Sequence, residues 1–194
     1  MYSLSELEAL SRKALRGTGY SWGHAEEGGK AVRWLSTYQL PGVSALAYYL
    51  QAHPTPPDVA QDPFVQGGFV CDQGRAWQVQ TLHIAYPLLL LPYLAWWASA
   101  QQQAVQVTWH THTLVAHNAA IHGLPLWPAA ALLQAQASVQ CTLCPPPEPS
   151  TQSRAALYHG QAIDAAPWQV LDERAQRTYV PASAASRHGA GPAD

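Results

Sequence analysis

The sequence predicts an α+β protein, with helices at both ends of the chain and a mainly antiparallel sheet between them. Apolar residues recur at helical spacing through the first quarter of the chain and again near its C-terminal end. Two central segments instead alternate apolar and polar residues, which is typical of half-buried strands. The helical and strand patterns are segregated rather than interleaved, and this order favours α+β.

The chain of 194 residues is long enough for one sizeable core and short for two. We therefore expect a single domain, 1–194, with four parts. These are a helical part over 1–52, a loop rich in proline and glycine over 53–75, a strand-rich core over 76–144, and a C-terminal helix and tail over 145–194.

Three helices are predicted in the first part. Ser3 and Glu6 have the spacing of a capping box, so the first helix begins near Leu4 and ends where Gly17 and Gly19 interrupt the pattern. The second helix is predicted over Trp22–Tyr38 and the third over Val43–Gln51, after a Pro-Gly turn. Beyond them, the prolines of His53–Gly68 predict a surface loop, because proline fixes φ and lacks an amide donor.

The central part combines strands with a buried helix. Strands are predicted over Ala76–Leu82, over Val105–Trp109 and around Val139–Leu143. The apolar run Ala85–Ala98 holds fourteen residues and two prolines, whereas a membrane span needs about 20 residues, so we expect a buried helix, kinked at Pro92. A last helix is predicted over Pro167–Thr178, followed by the tail.

Composition limits the classes of partner. Only 11% of the residues are charged, against about 25% in an average protein, so either neutral polar side chains or a partner subunit must cover the surface. A net charge of −2 without a basic patch argues against nucleic acid as a partner. The first residues lack the pattern of a secretory signal, and three cysteines fit a reducing compartment. We expect a cytoplasmic protein that does not insert into a membrane.

Histidines are the titratable groups of the central part. Between Gln73 and Pro147 the only formally charged residue is Arg75, whereas the same stretch holds five histidines. His110 and His112 on one strand would share a face and could bind a metal with a further ligand, or simply form the solvated face of an antiparallel strand. Cys141 and Cys144 form a lone pair that gives weak support to a metal or redox site. The cofactor, if one exists, stays unidentified.

Glu26 and Glu27 are the candidate carboxylates for acid–base chemistry. Lys30 follows four and three residues later, so the alternative is a solvated helix face held by ion pairs. The chain has no phosphate-binding glycine loop of the P-loop or dinucleotide type and no Gly-x-Ser-x-Gly motif. Nucleotide chemistry and classical serine hydrolysis therefore lack their usual sequence support.

Both ends of the chain and its central apolar run carry distinctive motifs, namely Gly19–Gly29, Arg33–Leu35, Pro87–Pro92, Arg177–Ser183, Ala185–Arg187 and Gly189–Gly191. In these motifs the sequence resembles an uncharacterised bacterial family, the domain of unknown function 3726. The family brings no activity. It does imply that two groups of residues meet in space, Trp22, Glu26, Glu27 and Arg33 with Thr178, Tyr179, Ser186 and Arg187.

Two functions follow from these observations. The first is a small-molecule metabolic enzyme, in which Glu26 or Glu27 works beside Tyr179 in acid–base catalysis while Arg33 or Arg187 holds an anionic substrate. It requires one pocket, formed by both end motifs, with a carboxylate of raised pKa. The alternative is a non-catalytic partner subunit of a metabolic enzyme complex, as a homo-oligomer or a hetero-complex, because eight tryptophans and low charge are typical of interfaces.

Overall fold

The computed structural model describes residues 1–77, 80–110, 112–123, 132–148 and 160–179. Six α-helices lie within these ranges, together with one sheet of five strands. All strand pairings in it are antiparallel. The predicted α+β class is confirmed, with helices before and after the sheet. Across the same ranges, no helix combines the length and the apolar character that crossing a membrane requires.

The helices occupy the two ends and the middle of the described chain. Their bounds are α1 Leu4–Thr18, α2 Trp22–Thr37, α3 Gly42–Ala52, α4 Pro63–Gln73, α5 Leu91–Gln101 and α6 Ala165–Gln176. The strands are β1 Gln80–Ala85, β2 Ala104–Trp109, β3 His112–His117, β4 Ala120–His122 and β5 Gln136–Cys144. Their order across the sheet is β1-β5-β2-β3-β4.

The boundaries of α1 follow from the local signals in its sequence. The Ser3 hydroxyl accepts from the Glu6 amide at 3.2 Å, and the Glu6 carboxylate accepts from the Ser3 amide at 2.7 Å, so the predicted capping box is confirmed. Gly19 ends the helix in the left-handed region, at φ 110°, where glycine carries no Cβ penalty. Gly17 lies within α1, and its missing side chain lets α6 approach: a Cβ there would lie 1.8 Å from the Arg174 carbonyl oxygen.

The predicted loop over 53–75 is only half correct. Residues 53–61 contain no helix or strand, but α4 begins at Pro63 and runs to Gln73. Asp62 caps this helix, because its side chain accepts from the amides of Phe64 at 2.8 Å and Val65 at 3.1 Å. Proline is acceptable in the first helical turn, so Pro63 favours the helix start that the proline count concealed.

The apolar run of the central part also divides differently from the prediction. Pro87–Leu90 form a single 3-10 turn, and α5 begins at Leu91 with Pro92 in its first turn. Pro92 therefore starts the helix instead of kinking it. The helix is buried on nearly all sides, as predicted, and it packs against the inner face of β2 and β3.

One face of the sheet belongs to the core and the other is polar. The inner residues are Leu82, Ile84, Val105, Val107, Trp109, Leu114, Ala116, Ala137, Val139 and Cys141, all buried. They form one hydrophobic cluster with residues of α1 to α6. Alternation places Cys141 inside, whereas Cys144 is only half buried. The outer face carries threonine, glutamine, serine and histidine.

A buried polar cluster ties the first helices to α4. The hydroxyls of Tyr20 and Tyr49 lie 2.5 Å apart, and the Tyr20 hydroxyl donates to Asp62 at 2.5 Å. Asp62 and Tyr49 have no exposed surface, and Tyr20 is almost completely buried. Burial, as the largest cause, raises the pKa of both tyrosines, so the hydroxyls remain protonated donors. The Arg16 guanidinium adds a bond to the Tyr20 carbonyl.

The predicted His-x-His strand is wrong. His110 lies in the turn between β2 and β3, with φ at 51°, and His112 is the first residue of β3, opposite Trp109. Thr108, His110 and His112 are polar at every second position through this hairpin, so the alternation alone could not locate the turn. The two histidines therefore do not follow each other along one strand face.

Candidate functional site

The two predicted glutamates point to different surroundings, although they are neighbours on α2. Glu26 forms an ion pair with Lys30 at 2.8 Å, and the two side chains are 55% and 52% exposed. The hydrogen bond from Lys30 is the main reason that the pKa of Glu26 is lowered. A proton acceptor with the raised pKa that we expected is therefore not found at Glu26, which instead follows the alternative of a solvated, paired residue.

Two other predicted residues of the end motifs, Trp22 and Tyr179, contact α1. The Tyr179 hydroxyl accepts from the Lys13 ammonium at 3.0 Å, and the Arg16 guanidinium lies 4.4 Å from the centre of the Trp22 ring. Trp22 is 71% exposed and Tyr179 is 61% exposed. The Thr178 hydroxyl donates to its own helix end, the Ala175 carbonyl, at 2.7 Å.

The predicted convergence of the two motifs is not seen among the described residues. Helices α2 and α6 both pack against α1. Arg33 reaches only as far as α1, where its guanidinium donates to Glu8 at 2.8 Å. Ser186 and Arg187 lie outside the described residues.

A groove follows one side of α2 and contains the remaining predicted carboxylate. Three adjoining cavities of about 340, 240 and 440 Å³ share residues from one to the next. Glu27 lines the first two, whereas Lys30 and Trp96 line the last two. We call this surface the α2 groove; along α2 its wall is formed by Ser21, His24, Glu27, Lys30, Arg33, Trp34 and Thr37. Steps of three or four residues keep these side chains on one helix face.

The opposite wall of the α2 groove comes from α4 and α5. Val65, Gly68, Phe69 and Asp72 of α4 face the N-terminal half of α2, and Cys71, Tyr93 and Trp96 surround the middle cavity. Of the two adjacent glycines in α4, Gly67 permits this arrangement, whereas a side chain at Gly68 would make only an ordinary contact. A Cβ on Gly67 would lie 2.4 Å from Cγ of Tyr93, and one on Gly68 would lie 3.6 Å from Oε2 of Glu27.

Tyr93 is the unusual side chain of the middle cavity. It is 1% exposed, and its hydroxyl has no hydrogen-bond partner in the part of the chain that the structure describes. Burial raises the pKa of Tyr93 most, with further contributions from Glu27 and from Cys71. The hydroxyl is thus a protonated donor, close enough to Glu27 to respond to its charge.

Cys71 is a neutral thiol beside Tyr93. Its sulfur lies 3.5 Å from the Tyr93 carbonyl oxygen, to which it can donate. Burial, followed by the charges of Glu27 and Asp72, raises the pKa of Cys71 to about 11. A thiol with this pKa is almost entirely protonated near neutral pH, so Cys71 suits a wall of the cavity better than a nucleophile.

Charge is distributed unevenly along the α2 groove. Glu27 and Asp72 lie towards its N-terminal half, and Lys30 and Arg33 lie towards the other half. Lys30 and Arg33 are both paired with glutamates, whereas Glu27 has no hydrogen bond or ion pair within the described ranges. Asp72 likewise has no hydrogen bond or ion pair within the described ranges, but it lines only the first cavity, so Glu27 is the unpaired carboxylate of the middle cavity.

Metal ligands do not gather in the described residues, where no group of three or more His, Cys, Asp or Glu side chains could hold an ion. The weak prediction of a metal site at His110 and His112 assumed that both residues lie on one strand, whereas His110 lies in the turn that precedes β3.

Sequence reasoning missed Cys71, Tyr93 and Trp96. Tyr93 and Trp96 belong to an apolar run whose pattern shows burial and no polar role. The signal that could have found Cys71 is the Asp62-Pro63 helix start, which puts Gly68 and Cys71 on one side of α4.

The comparisons with known proteins agree with the N-terminal motifs. A family model described as a protein of unknown function, DUF3726, matches residues 2–85. That range contains α1 to α4 and β1, and with them Glu27, Gly68 and Cys71, whereas Tyr93 lies beyond it. Neither the curated proteins nor the solved structures gave a match. Over residues 2–85 the chain thus matches the DUF3726 family, the family that its end motifs resemble.

Proposed function

We propose that the chain is a small-molecule metabolic enzyme whose substrate binds in the middle of the α2 groove. One observation supports this proposal above the others. Glu27 and Tyr93 line the same cavity of about 240 Å³, and neither the carboxylate nor the hydroxyl has a hydrogen-bond partner among the described residues. A buried polar group without a partner, such as the Tyr93 hydroxyl, is rare in folded proteins, and a bound ligand is one way to satisfy it. Glu27 is exposed, so its carboxylate is accessible to the same ligand.

The proposed chemistry is proton transfer on an anionic substrate. Glu27 acts as the general base or acid, and the protonated Tyr93 hydroxyl donates to a substrate oxygen. Lys30 lines the same cavity and supplies the positive charge for the anionic group, with Arg33 farther along the groove. Tyr93 thus replaces Tyr179 in the proposed pair, because Tyr179 is exposed and bonded to Lys13.

The cavity limits the size of the substrate. About 240 Å³ corresponds to roughly eight water molecules at ~30 Å³ each, which suits a small metabolite. The adjoining cavities leave room for a longer group on either side. Cys71, Cys141 and Cys144 are all free thiols, in keeping with the proposed cytoplasmic location.

The test is substrate depletion with two adjacent glutamate variants. The purified protein is incubated with a pool of small carboxylates and phosphate esters, and each compound is followed by mass spectrometry. We expect the wild type to consume at least one compound. Glu27→Gln should be slower by roughly 10²–10⁴-fold, the usual contribution of a general base, whereas Glu26→Gln should retain the wild-type rate.

Both glutamates are exposed, so circular dichroism should show the same fold for the two variants. Equal rates of substrate depletion for wild type and Glu27→Gln would show that Glu27 takes no part in the reaction. If the wild type neither consumes nor binds any compound of the pool, the result would contradict the proposal that the chain is an enzyme.

The alternative is a non-catalytic subunit of a metabolic enzyme complex. It is favoured by large aromatic side chains on the surface, since Trp22, Phe69 and Tyr179 are 71%, 50% and 61% exposed. Exposed aromatic residues often become the hot spots of an interface. A complex with a second protein that is weakened by Trp22→Ala, with no depletion of any compound by the chain alone, would select this function.

A further inference from the structure

A second cavity lies on the outer face of the sheet, away from the α2 groove. Its volume is about 950 Å³, within the range of roughly 300–1,000 Å³ that small-molecule sites occupy. Strands β1 and β5 form its floor, and one wall is formed by Gln61, just before α4, and by Gln66 within α4. The β2–β3 turn adds His110.

Among the residues that the structure describes, the lining of this cavity carries no Asp, Glu, Lys or Arg. Its polar residues are Gln61, Gln66, Thr81, His83, His110, Gln136 and Ser138, and its apolar residues are Ala60, Leu82 and Ala137. A charged ligand would lose hydration here without meeting an opposite formal charge, which is costly. Within the described ranges the lining also holds no Phe, Tyr or Trp, so these residues offer no stacking surface to a flat aromatic ligand.

Four of the polar side chains are held in two pairs, and each pair keeps spare hydrogen-bonding capacity. The Ser138 hydroxyl lies 2.9 Å from Nδ1 of His83, which leaves Nε2 of that ring. The Gln136 amide donates to the Gln61 side-chain oxygen at 3.2 Å, and each amide keeps further donors or acceptors. Hydroxyl, amide and imidazole groups can both donate and accept.

We propose that this cavity binds a neutral polyhydroxylated molecule, a sugar or related polyol. Hydroxyl groups also donate and accept, so they match a lining of amides, hydroxyls and imidazoles without requiring a charge. This site uses none of the residues of the α2 groove, so the proposal of sugar binding does not depend on the proposed enzymatic function.

The experiment measures binding by chemical shifts of the isotope-labelled protein. The probes are glucose, maltose, maltotriose and, as a charged counterpart, glucose 6-phosphate, at millimolar concentrations. We expect at least one neutral sugar to shift the amides of β1, β5 and residues 60–66. The double variant Gln136→Ala, Ser138→Ala should bind at least tenfold more weakly, because it removes two exposed polar groups of the lining.

Gln140→Ala is the matched control, since Gln140 is exposed on β5 outside the cavity lining. It should bind like the wild type, and so should Glu27→Gln. The proposal is overturned if no neutral sugar binds, if glucose 6-phosphate binds more tightly than glucose, or if the double variant binds as well as Gln140→Ala. Shifts confined to other parts of the protein would overturn it as well.

Discussion

Replacing Tyr93 by phenylalanine removes one oxygen atom from the core and keeps the ring. A buried polar group without a partner costs about 1–3 kcal/mol, because its hydration is lost without compensation. The Tyr93 hydroxyl has no partner among the described residues, so Tyr93→Phe should raise the free energy of unfolding by about 1 kcal/mol. A binding group that lowers stability in this way is common at functional sites.

Tyr49 is the matched control for this change. It is as deeply buried as Tyr93, but its hydroxyl is hydrogen-bonded to that of Tyr20 at 2.5 Å. Tyr49→Phe should therefore lower the free energy of unfolding by about 1 kcal/mol, the typical net value of one hydrogen bond. The two substitutions are chemically identical and should have opposite signs.

The assay is urea unfolding followed by tryptophan fluorescence. With an m-value of about 2 kcal/mol/M, the midpoint should rise by roughly 0.5 M for Tyr93→Phe and fall by roughly 0.5 M for Tyr49→Phe. Equal m-values would show that the changes act on stability and not on the unfolded state. If Tyr93→Phe is destabilising to the same extent as Tyr49→Phe, the Tyr93 hydroxyl has a partner, and the reasoning about the cavity is refuted.

Three further changes test the packing around the site. Asp62→Ala removes the cap of α4 and the acceptor of Tyr20, so we expect a loss of about 3 kcal/mol in the free energy of unfolding; a loss under about 0.5 kcal/mol would contradict this role. Gly67→Ala should lower the free energy of unfolding by about 1–3 kcal/mol, because the added Cβ clashes with the Tyr93 ring. Gly23→Ala, whose Cβ would meet no atom within 4 Å, should leave that free energy unchanged or raise it, and similar values for the two variants would argue against the close contact. At pH 8, iodoacetamide should alkylate Cys71 about 100-fold more slowly in the native protein than in the unfolded chain. The reason is that a pKa of about 11 instead of 9.0 leaves about a hundredth of the thiolate. Equal alkylation rates, measured by mass spectrometry, would contradict the raised pKa.

The helices that carry their own boundary signals could be predicted from the sequence. The capping box at Ser3 and the glycine at residue 19 act within one helical turn, so they fix α1 whatever packs against it. The start of α4 has equally local signals at Asp62 and Pro63, but the surrounding prolines concealed them. The β2–β3 hairpin could not be located, because polar residues continue at every second position, from Thr108 through His110 to His112, across the turn.

The candidate site could be predicted only in part. Glu27 and Arg33, two of the residues predicted on α2, line the α2 groove. Glu26 and Glu27 point about 100° apart around the helix, and the sequence does not show which of these directions faces the groove. Cys71 and Tyr93 meet because α4 packs on α5. That contact depends on Gly67, whose role is visible only when the Tyr93 ring lies against it.

Native mass spectrometry on protein gently isolated from its own cells tests the central claim most directly, because it detects a ligand in the α2 groove without knowledge of the reaction. We predict that the wild type and Tyr49→Phe retain a small anionic molecule, and that Tyr93→Phe, although more stable, loses it. A chain that retains nothing, a ligand that Tyr93→Phe keeps at the wild-type level, or a stoichiometric second protein with no ligand would contradict the proposed site.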